Sequence, residues 1–508
     1  MSGHYSSQQA KQSLLHFFAG KGASALLGIA GLLLAVRSLA PADFGLMVAV
    51  LAFAEIFYLV SGFGLSTQAQ RYVAEYRIKL TPSAFPGFIW RLQLRRLLYS
   101  VLFLMPVVLG ARWLLAWFDM QPVYAVWPLF AVLLLLGTQV RFFDELFGSL
   151  LLQGAVQASL LLRNLLKLCG YGVFVLKAWS MPVATALWIE VVMYAAALLL
   201  SIWQMARYLR RTAGEPAGDG QLPHYRNPEQ EGVSRRFYLV QCLGQVYGSN
   251  AQALLTTRLL GAVQTAALGF AQSLTDMVRN YLPAQLLLGW IRPLMVARYV
   301  EHRDYAQLQR FANIILKANL LAIIPACVLM FGHGDTIGAW LSGGRYPALG
   351  SLLAALFVLI ALQTMHLVLG LVTLTIEKAG ANIWATLLAC AGLPLALLLA
   401  PQWGLMGIVV TLCISELIWI ATVLLLLWRA AMPFVVEPGP VLRLLLAGGA
   451  LALLDHWLSQ PVGAVWWSLL ACVLGGLLFL LLSWWLRPFN VAERAMLGKV
   501  LPARLRFS

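Results

Sequence analysis

The side chains in this sequence that could do chemistry stand, for the most part, inside long apolar runs. Asp276 and Arg279 lie three residues apart in one such run, with Gln272 before them, Asn280 after them and Pro283 beyond. On a helix that spacing puts both on one face and allows a direct ion pair. Two readings are open: a pair that tightens helix packing, or a pair facing water and offering a guanidinium to an anionic group. In the run before it, Gln241, Gln245, Ser249, Gln252 and Thr256 are spaced four, four, three and four, which makes a single polar stripe on an unbroken helix. Lipid does not satisfy such a stripe, so it lines protein or water. Glu55, Glu190 and Glu416 are isolated acids deep in three further runs. A lone carboxylate is costly to ionise there, which makes each a candidate carrier of a proton or other coupling ion, with interhelical hydrogen bonding as the plainer role. Lys21 stands near the start of the first run, where it serves the same hydrated path or snorkels to headgroups. Arg37 and Arg258 mark the outer ends of two runs, as interfacial anchors or as part of that path.

Other chemistry is missing. No lysine is followed by Ser or Thr, so there is no phosphate-binding loop of the G-K-[ST] kind, and neither H-E-x-x-H nor G-x-S-x-G occurs. The six cysteines, Cys169, Cys242, Cys327, Cys390, Cys413 and Cys472, all sit in apolar runs without C-x-x-C spacing and read as small buried hydrophobes. These residues point to a protein that is not an enzyme and needs no metal or cofactor, with its energy drawn from a proton, sodium or membrane potential.

The elements that must position these groups follow from composition. A chain of 508 residues that is 61% hydrophobic and only 11% charged, with a mean hydropathy of +0.80, is far from a soluble globule. Apolar runs long enough to cross about 30 Å of hydrocarbon recur throughout. We place fourteen helical spans, at 14–39, 44–65, 97–118, 123–148, 159–178, 182–206, 236–259, 264–290, 311–332, 347–373, 382–400, 403–428, 441–458 and 463–486. The first run is too long for the apolar stretch of a signal peptide and is expected to remain as a span. With the N-terminus in the cytoplasm, thirty of the 36 Lys and Arg fall on the cytoplasmic side, only Arg37, Arg112, Lys177, Arg258 and Arg345 on the other, and Arg279 is embedded. That asymmetry places both termini inside and explains the net charge of +16 without any nucleic acid. The longest loops, 71–96 and 207–235, are then cytoplasmic, which leaves no room for an external catalytic domain.

The chain also repeats itself. Gly45 in F-G-L pairs with Gly269 in L-G-F at an offset of 224, R-Y-V-A-E-Y-R from 71 pairs with R-Y-V-E-H-R from 298 at 227, Glu190 pairs with Glu416 at 226, and Arg37 with Arg258 at 221. Such offsets predict an all-α polytopic protein with two six-helix lobes in the same orientation, related by a pseudo-twofold axis along the membrane normal with a cavity between them. The expected division is 1–206 for the first lobe, 207–235 for a cytoplasmic linker, 236–430 for the second lobe and 431–508 for two additional helices with a basic tail.

Three passages carry a family resemblance: R-S-L-A-P-A-D-F-G at 37–45, G-F-G-L-S-T-Q-A-Q-R-Y-V-A-E at 62–75 and A-P-Q-W-G-L-M-G at 400–407. With the span pattern they resemble the polysaccharide and O-antigen flippases of the superfamily that also holds lipid II flippases and multidrug exporters. The resemblance implies a two-lobed helical fold in the bacterial inner membrane. It implies transfer of an undecaprenyl-pyrophosphate-linked oligosaccharide from the cytoplasmic to the periplasmic leaflet, for O-antigen, capsule or exopolysaccharide, alongside a polymerase and glycosyltransferases. Lys21 and Arg279, with Arg37 and Arg258, would be the basic residues that meet the pyrophosphate, and the last two spans would be similar to the pair that holds a lipid tail in lipid II flippases. An exporter of organic cations and a non-transporting scaffold of glycan assembly are the competing functions; the first would want a more acidic cavity. Fluorescence of a green fluorescent protein fused after Ser508, and inactivity of alkaline phosphatase fused there, is the outcome expected for a cytoplasmic C-terminus. The reverse pattern would invert the whole topology.

Overall fold

The computed structural model describes residues 7–177, 179–218, 220–227, 229–285, 299, 304–378, 380–458, 465–489 and 493, with backbone alone for 7–19, 229–231, 233 and 235–237. Within these residues the chain is helical, and the only β contacts are two isolated bridges, Leu39 with Met181 and Leu80 with Leu222. The chain divides into two compact units, Met1–Ala266 and Ala267–Ser508.

The first unit holds α1 (Ser7–Ser38), α2 (Pro41–Val60), α3 (Leu65–Lys79), α4 (Ala84–Leu109), α5 (Ala111–Trp117), α6 (Trp127–Ser149), α7 (Gln153–Leu176), α8 (Val183–Ala213), α9 (Glu229–Tyr247) and α10 (Ser249–Leu260). Helix α11 (Ala262–Asn280) crosses from the first unit into the second. Helix starts follow local chemistry: Pro41 opens α2, where its missing N–H costs nothing. Helix α1 lies along α7, α6 along α8, and α10 against α2. A core of this unit joins α3, α4, α6 and α8 through Tyr76, Phe85, Ile89, Phe143, Phe147 and Met205. The contact of α2 with the α10–α11 junction depends on Gly45, because a Cβ there would lie 1.7 Å from the Ala262 carbonyl oxygen. The first repeat motif therefore has a packing cause.

The second unit holds α12 (Tyr305–Ser342), α13 (Gly350–Thr375), α14 (Gly380–Ala389), α15 (Gly392–Arg429), α16 (Pro438–Leu458) and α17 (Val465–Leu486). Asp304 caps α12 by accepting from the Gln307 N–H at 3.1 Å. Helix α12 packs along α13 and also carries the final pair: Ile324 and Leu329 form one core with Leu444, Ala447 and Leu451 of α16 and Phe479 of α17. The continuous α15 breaks at Gly404, whose φ of 58° and ψ of −136° lie outside the helical region and suit glycine. The passage 400–407 is thus a turn between two membrane passes.

Eleven segments among the described residues are long and apolar enough to span a bilayer. One of them, 380–429, is 50 residues long and supplies two passes through the Gly404 break. The expected count of fourteen is not confirmed among the described residues. The expected seventh span is two helices, α9 and α10, parted at Gly248, whose extended backbone interrupts the helix. The polar stripe is consequently not continuous: Gln241 and Ser249 are exposed, Gln245 accepts from Asn250 at 3.3 Å, and Gln252 and Thr256 are buried. The expected eighth span runs to 290, and its end and most of R-Y-V-E-H-R lie outside the described residues. The cysteines are free, Cys169 exposed and the other five half-buried, so they are not the fully buried hydrophobes expected. The segments 71–96 and 207–235, expected as loops, are partly helical, within α3, α4, α8 and α9, and are stitched together. Leu222 donates its N–H to the Lys79 carbonyl at 2.8 Å, Arg77 pairs with Glu215 at 2.7 Å, and the Tyr225 hydroxyl donates to Glu75. That bond to a carboxylate pushes the Tyr225 hydroxyl above its ordinary pKa. Gly45→Val should cost about 1–3 kcal/mol or more by overpacking against backbone, read as a drop in the thermal midpoint of the purified protein in detergent. An unchanged midpoint would contradict the packing described at α2.

Candidate functional site

A charge on a membrane-spanning helix must find a partner or water. In the first unit the partners form a sequence across four helices. Glu55 of α2 is gripped by both terminal nitrogens of Arg141 of α6, whose guanidinium also lies 5.4 Å from the centre of the Tyr58 ring. One turn on, Asp144 of α6 pairs with Arg163 of α7 at 2.7 Å. One further turn along α7, Lys167 pairs with Glu190 of α8 at 2.7 Å. Asn164 joins α7 to α1 by donating to the Ser24 carbonyl at 2.9 Å. The spacing that makes this possible is helical: 141 and 144 on α6, 163 and 167 on α7, each set on one face.

The members of this sequence differ in exposure. Glu190 is 2% exposed, whereas Glu55 is 42% and Arg141 24% exposed. A charge pair that is exposed and membrane-deep faces water, because hydrocarbon would leave its remaining hydrogen-bonding capacity unmet. The Glu55–Arg141 pair is thus partly open, and the Lys167–Glu190 pair is closed on its acidic side.

The second unit carries its own pair. Arg279 meets Asp276 at 3.2 Å on α11 and donates to the Gln363 side-chain oxygen of α13 at 3.2 Å. Asp276 is 47% and Arg279 35% exposed. One turn from Gln363, His366 Nδ1 lies 2.7 Å from Glu416 of α15, and the imidazole stacks on Trp419 with ring centroids 3.5 Å apart. The expected Asp276–Arg279 pair and Glu416, read apart from it in the sequence, thus lie along one polar track with Gln363 and His366 as its missing links.

None of the three acids expected to stand alone is alone. Arg141 and Lys167 are the counterions of Glu55 and Glu190, and His366 is the hydrogen-bond partner of Glu416, at separations of 86, 23 and 50 residues in sequence. Sequence reasoning counted Arg141 and Lys167 only as cytoplasmic-side charges. A signal was available in the repeat: Glu55 and Arg279 are 224 apart, Gln139 and Gln363 are 224 apart, and Arg141 and His366 are 225 apart. Each unit thus joins its second helix of the repeat to its fourth through a charged group, with the sign exchanged.

The other expected residues are more scattered. Lys21 is half-buried on α1, Arg37 is exposed at the end of α1, and Arg258 is exposed with its guanidinium 5.6 Å from the Trp117 ring centre. Gln272 is half-buried and Asn280 exposed, on the same helix as Arg279. Gln252 is buried within the first unit rather than on an open face. Lys317 is a cation the sequence did not single out; it is 1% exposed and held by Glu437 at 2.7 Å and Glu493 at 2.6 Å. No group of three or more metal-ligating side chains occurs among the described residues.

The exposures separate the roles by magnitude. Glu190→Gln strands Lys167 and should destabilise the protein by about 3–5 kcal/mol, whereas Glu55→Gln at the open pair should cost about 1 kcal/mol or less. Thermal unfolding in detergent measures both. Equal losses at the two positions would contradict the distinction between a closed and an open pair.

Comparison with known proteins agrees with this architecture. The family described as "Polysaccharide biosynthesis protein" matches residues 11–282. No curated protein matches the chain. Among solved structures, the lipid II flippase MurJ in its inward closed conformation superposes with a TM-score of 0.62 at 12% identity, covering 92% of this chain and 97% of that one. An inward-facing multidrug resistance MATE family transporter of the MOP superfamily gives 0.59 at 15% identity, covering 80% and 95%. A MOP superfamily transporter from Pyrococcus furiosus Vc1 gives 0.53 at 15% identity, covering 83% and 96%. At these identities the likeness is one of fold, a polytopic helical membrane protein of the flippase and MATE type. The matched residues make up more than half of the chain, which belongs to the polysaccharide biosynthesis protein family.

Proposed function

We propose that this protein is a flippase that carries an undecaprenyl-pyrophosphate-linked oligosaccharide from the cytoplasmic to the periplasmic leaflet of a bacterial inner membrane, by alternating access. The observation that carries the proposal is the open, membrane-deep charge pair in each unit of a chain from a polysaccharide biosynthesis family. A sugar hydroxyl moved into hydrocarbon without a partner costs about 2–7 kcal/mol, so a glycan needs a wet, polar route. The lipid tail needs none and stays in the bilayer. Arg279, oriented by Gln363, offers a guanidinium for a diphosphate, and Lys21, Arg37 and Arg258 supply further positive charge. A diphosphate of about minus two leaving a negative interior gains about 4–5 kcal/mol per 100 mV, so the membrane potential alone supports export. Glu55 and Asp276 are the candidate sites for a coupling proton or sodium ion, with Glu190 and Glu416 held more deeply. Both termini lie in the cytoplasm in this reading, and a polymerase and glycosyltransferases are its expected partners.

One observation favours a second reading, export of organic cations. In both open pairs the acid is more exposed than the base, 42% against 24% and 47% against 35%. The two readings part in a gene-deletion strain. The flippase reading expects lipid-linked oligosaccharide to accumulate in the cytoplasmic leaflet, with rescue by the wild-type chain and loss of rescue, by roughly tenfold or more, with Arg279→Gln. An unchanged leaflet distribution with heightened sensitivity to cationic dyes would overturn it in favour of the second reading. Full transport by Glu55→Gln with Asp276→Asn would remove both acids from coupling.

A further inference from the structure

Where α13 ends and α14 begins, the backbone turns sharply, with Glu377 at a φ of 62°. Glu377 and Lys378 of this turn line a cavity of about 290 Å³ whose remaining walls are apolar, Ala381 and Trp384 of α14 and Leu426 and Leu427 of α15. Both charged residues are exposed, and among the described residues neither side chain has a hydrogen-bond or ion-pair partner, the two not bonding each other. A carboxylate and an ammonium that share one cavity and leave each other alone are both available to a ligand. The volume is about that of ten waters, room for a phosphate bearing a short aminoethyl arm.

The level of the cavity narrows the ligand. The turn joins two membrane-spanning segments, so it lies where hydrocarbon gives way to headgroups, and the charge distribution assigns it to the cytoplasmic side. Trp384 is 61% exposed, as a tryptophan at that interface is expected to be. A ligand here meets a cation, an anion and an apolar floor at once. A headgroup with phosphate alone leaves Glu377 unmatched and repelled. A trimethylated ammonium has no N–H to donate to it.

We propose that this cavity binds a phospholipid whose headgroup carries both a phosphate and a primary ammonium, phosphatidylethanolamine, with Lys378 on the phosphate, Glu377 on the ammonium, and Trp384 and Leu426 against the glycerol end. The site is separate from the charge pairs described above and does not rest on the transport reading.

The test is native mass spectrometry of the purified full chain with equal amounts of phosphatidylethanolamine, phosphatidylcholine and phosphatidylglycerol of matched acyl chains. Phosphatidylethanolamine adducts should be retained above the other two as collision energy rises. Lys378→Gln should lower their retention about fivefold, the worth of one charge at a membrane surface. Glu377→Gln should erase the preference over phosphatidylcholine, and Arg207→Gln, near the end of α8, should change nothing. Both tested side chains are exposed, and matching thermal midpoints confirm that the variants fold. Equal retention of the three lipids by the wild type, a preference for phosphatidylglycerol, or a preference that survives both substitutions would overturn the proposal.

Discussion

A charged side chain inside a bilayer has to be answered by another group, and in this protein that requirement fixes which helices stand together. Charged residues cost about 2.5–3.5 kcal/mol each at the centre of a membrane helix when left to lipid. The chain answers with pairs between helices: α2 to α6 through Glu55 and Arg141, α6 to α7 through Asp144 and Arg163, α7 to α8 through Lys167 and Glu190, and α13 to α15 through His366 and Glu416. Apolar packing supplies the bulk of the contact, but Leu and Phe pack almost equally well in several rotations. A charge pair does not, because a turn of the helix by one residue swings the group into lipid.

Closed and open pairs serve different ends. Lys167 with Glu190, and Lys317 with Glu437 and Glu493, are enclosed and act as struts; the latter ties α12 to the start of α16 and to the segment beyond α17. The Glu55–Arg141 and Asp276–Arg279 pairs are partly open, and in the proposed function their open sides meet water. Such a face is what a polar cargo needs and what a purely structural bundle would avoid.

Much of the fold was legible because its signals are local. The apolar runs that set the helices depend on a few neighbouring residues each. The seventh span misled because Gln241 to Thr256 has helical spacing throughout, while one extended residue, Gly248, breaks the helix and sends Gln252 inward. The site was half legible. Asp276 and Arg279 are close in sequence and were seen as a pair. The partners of Glu55, Glu190 and Glu416 are brought in by tertiary contact, and nothing in the local sequence marks Arg141 or Lys167 as more than a topological charge. The repeat offset that links Arg141 to His366 held that information in a form that only makes sense once one pair is known.

The central claim is that Glu55 and Asp276 face water at membrane depth. Its most direct test places single cysteines at these positions, Glu55→Cys and Asp276→Cys, in a chain whose six native cysteines are replaced, and measures labelling by a charged thiol reagent in intact membranes. Leu453→Cys and Leu474→Cys, at exposed apolar positions on α16 and α17, serve as lipid-facing references. The account predicts labelling at 55 and 276 and none at 453 and 474; protection of both acidic positions would contradict it.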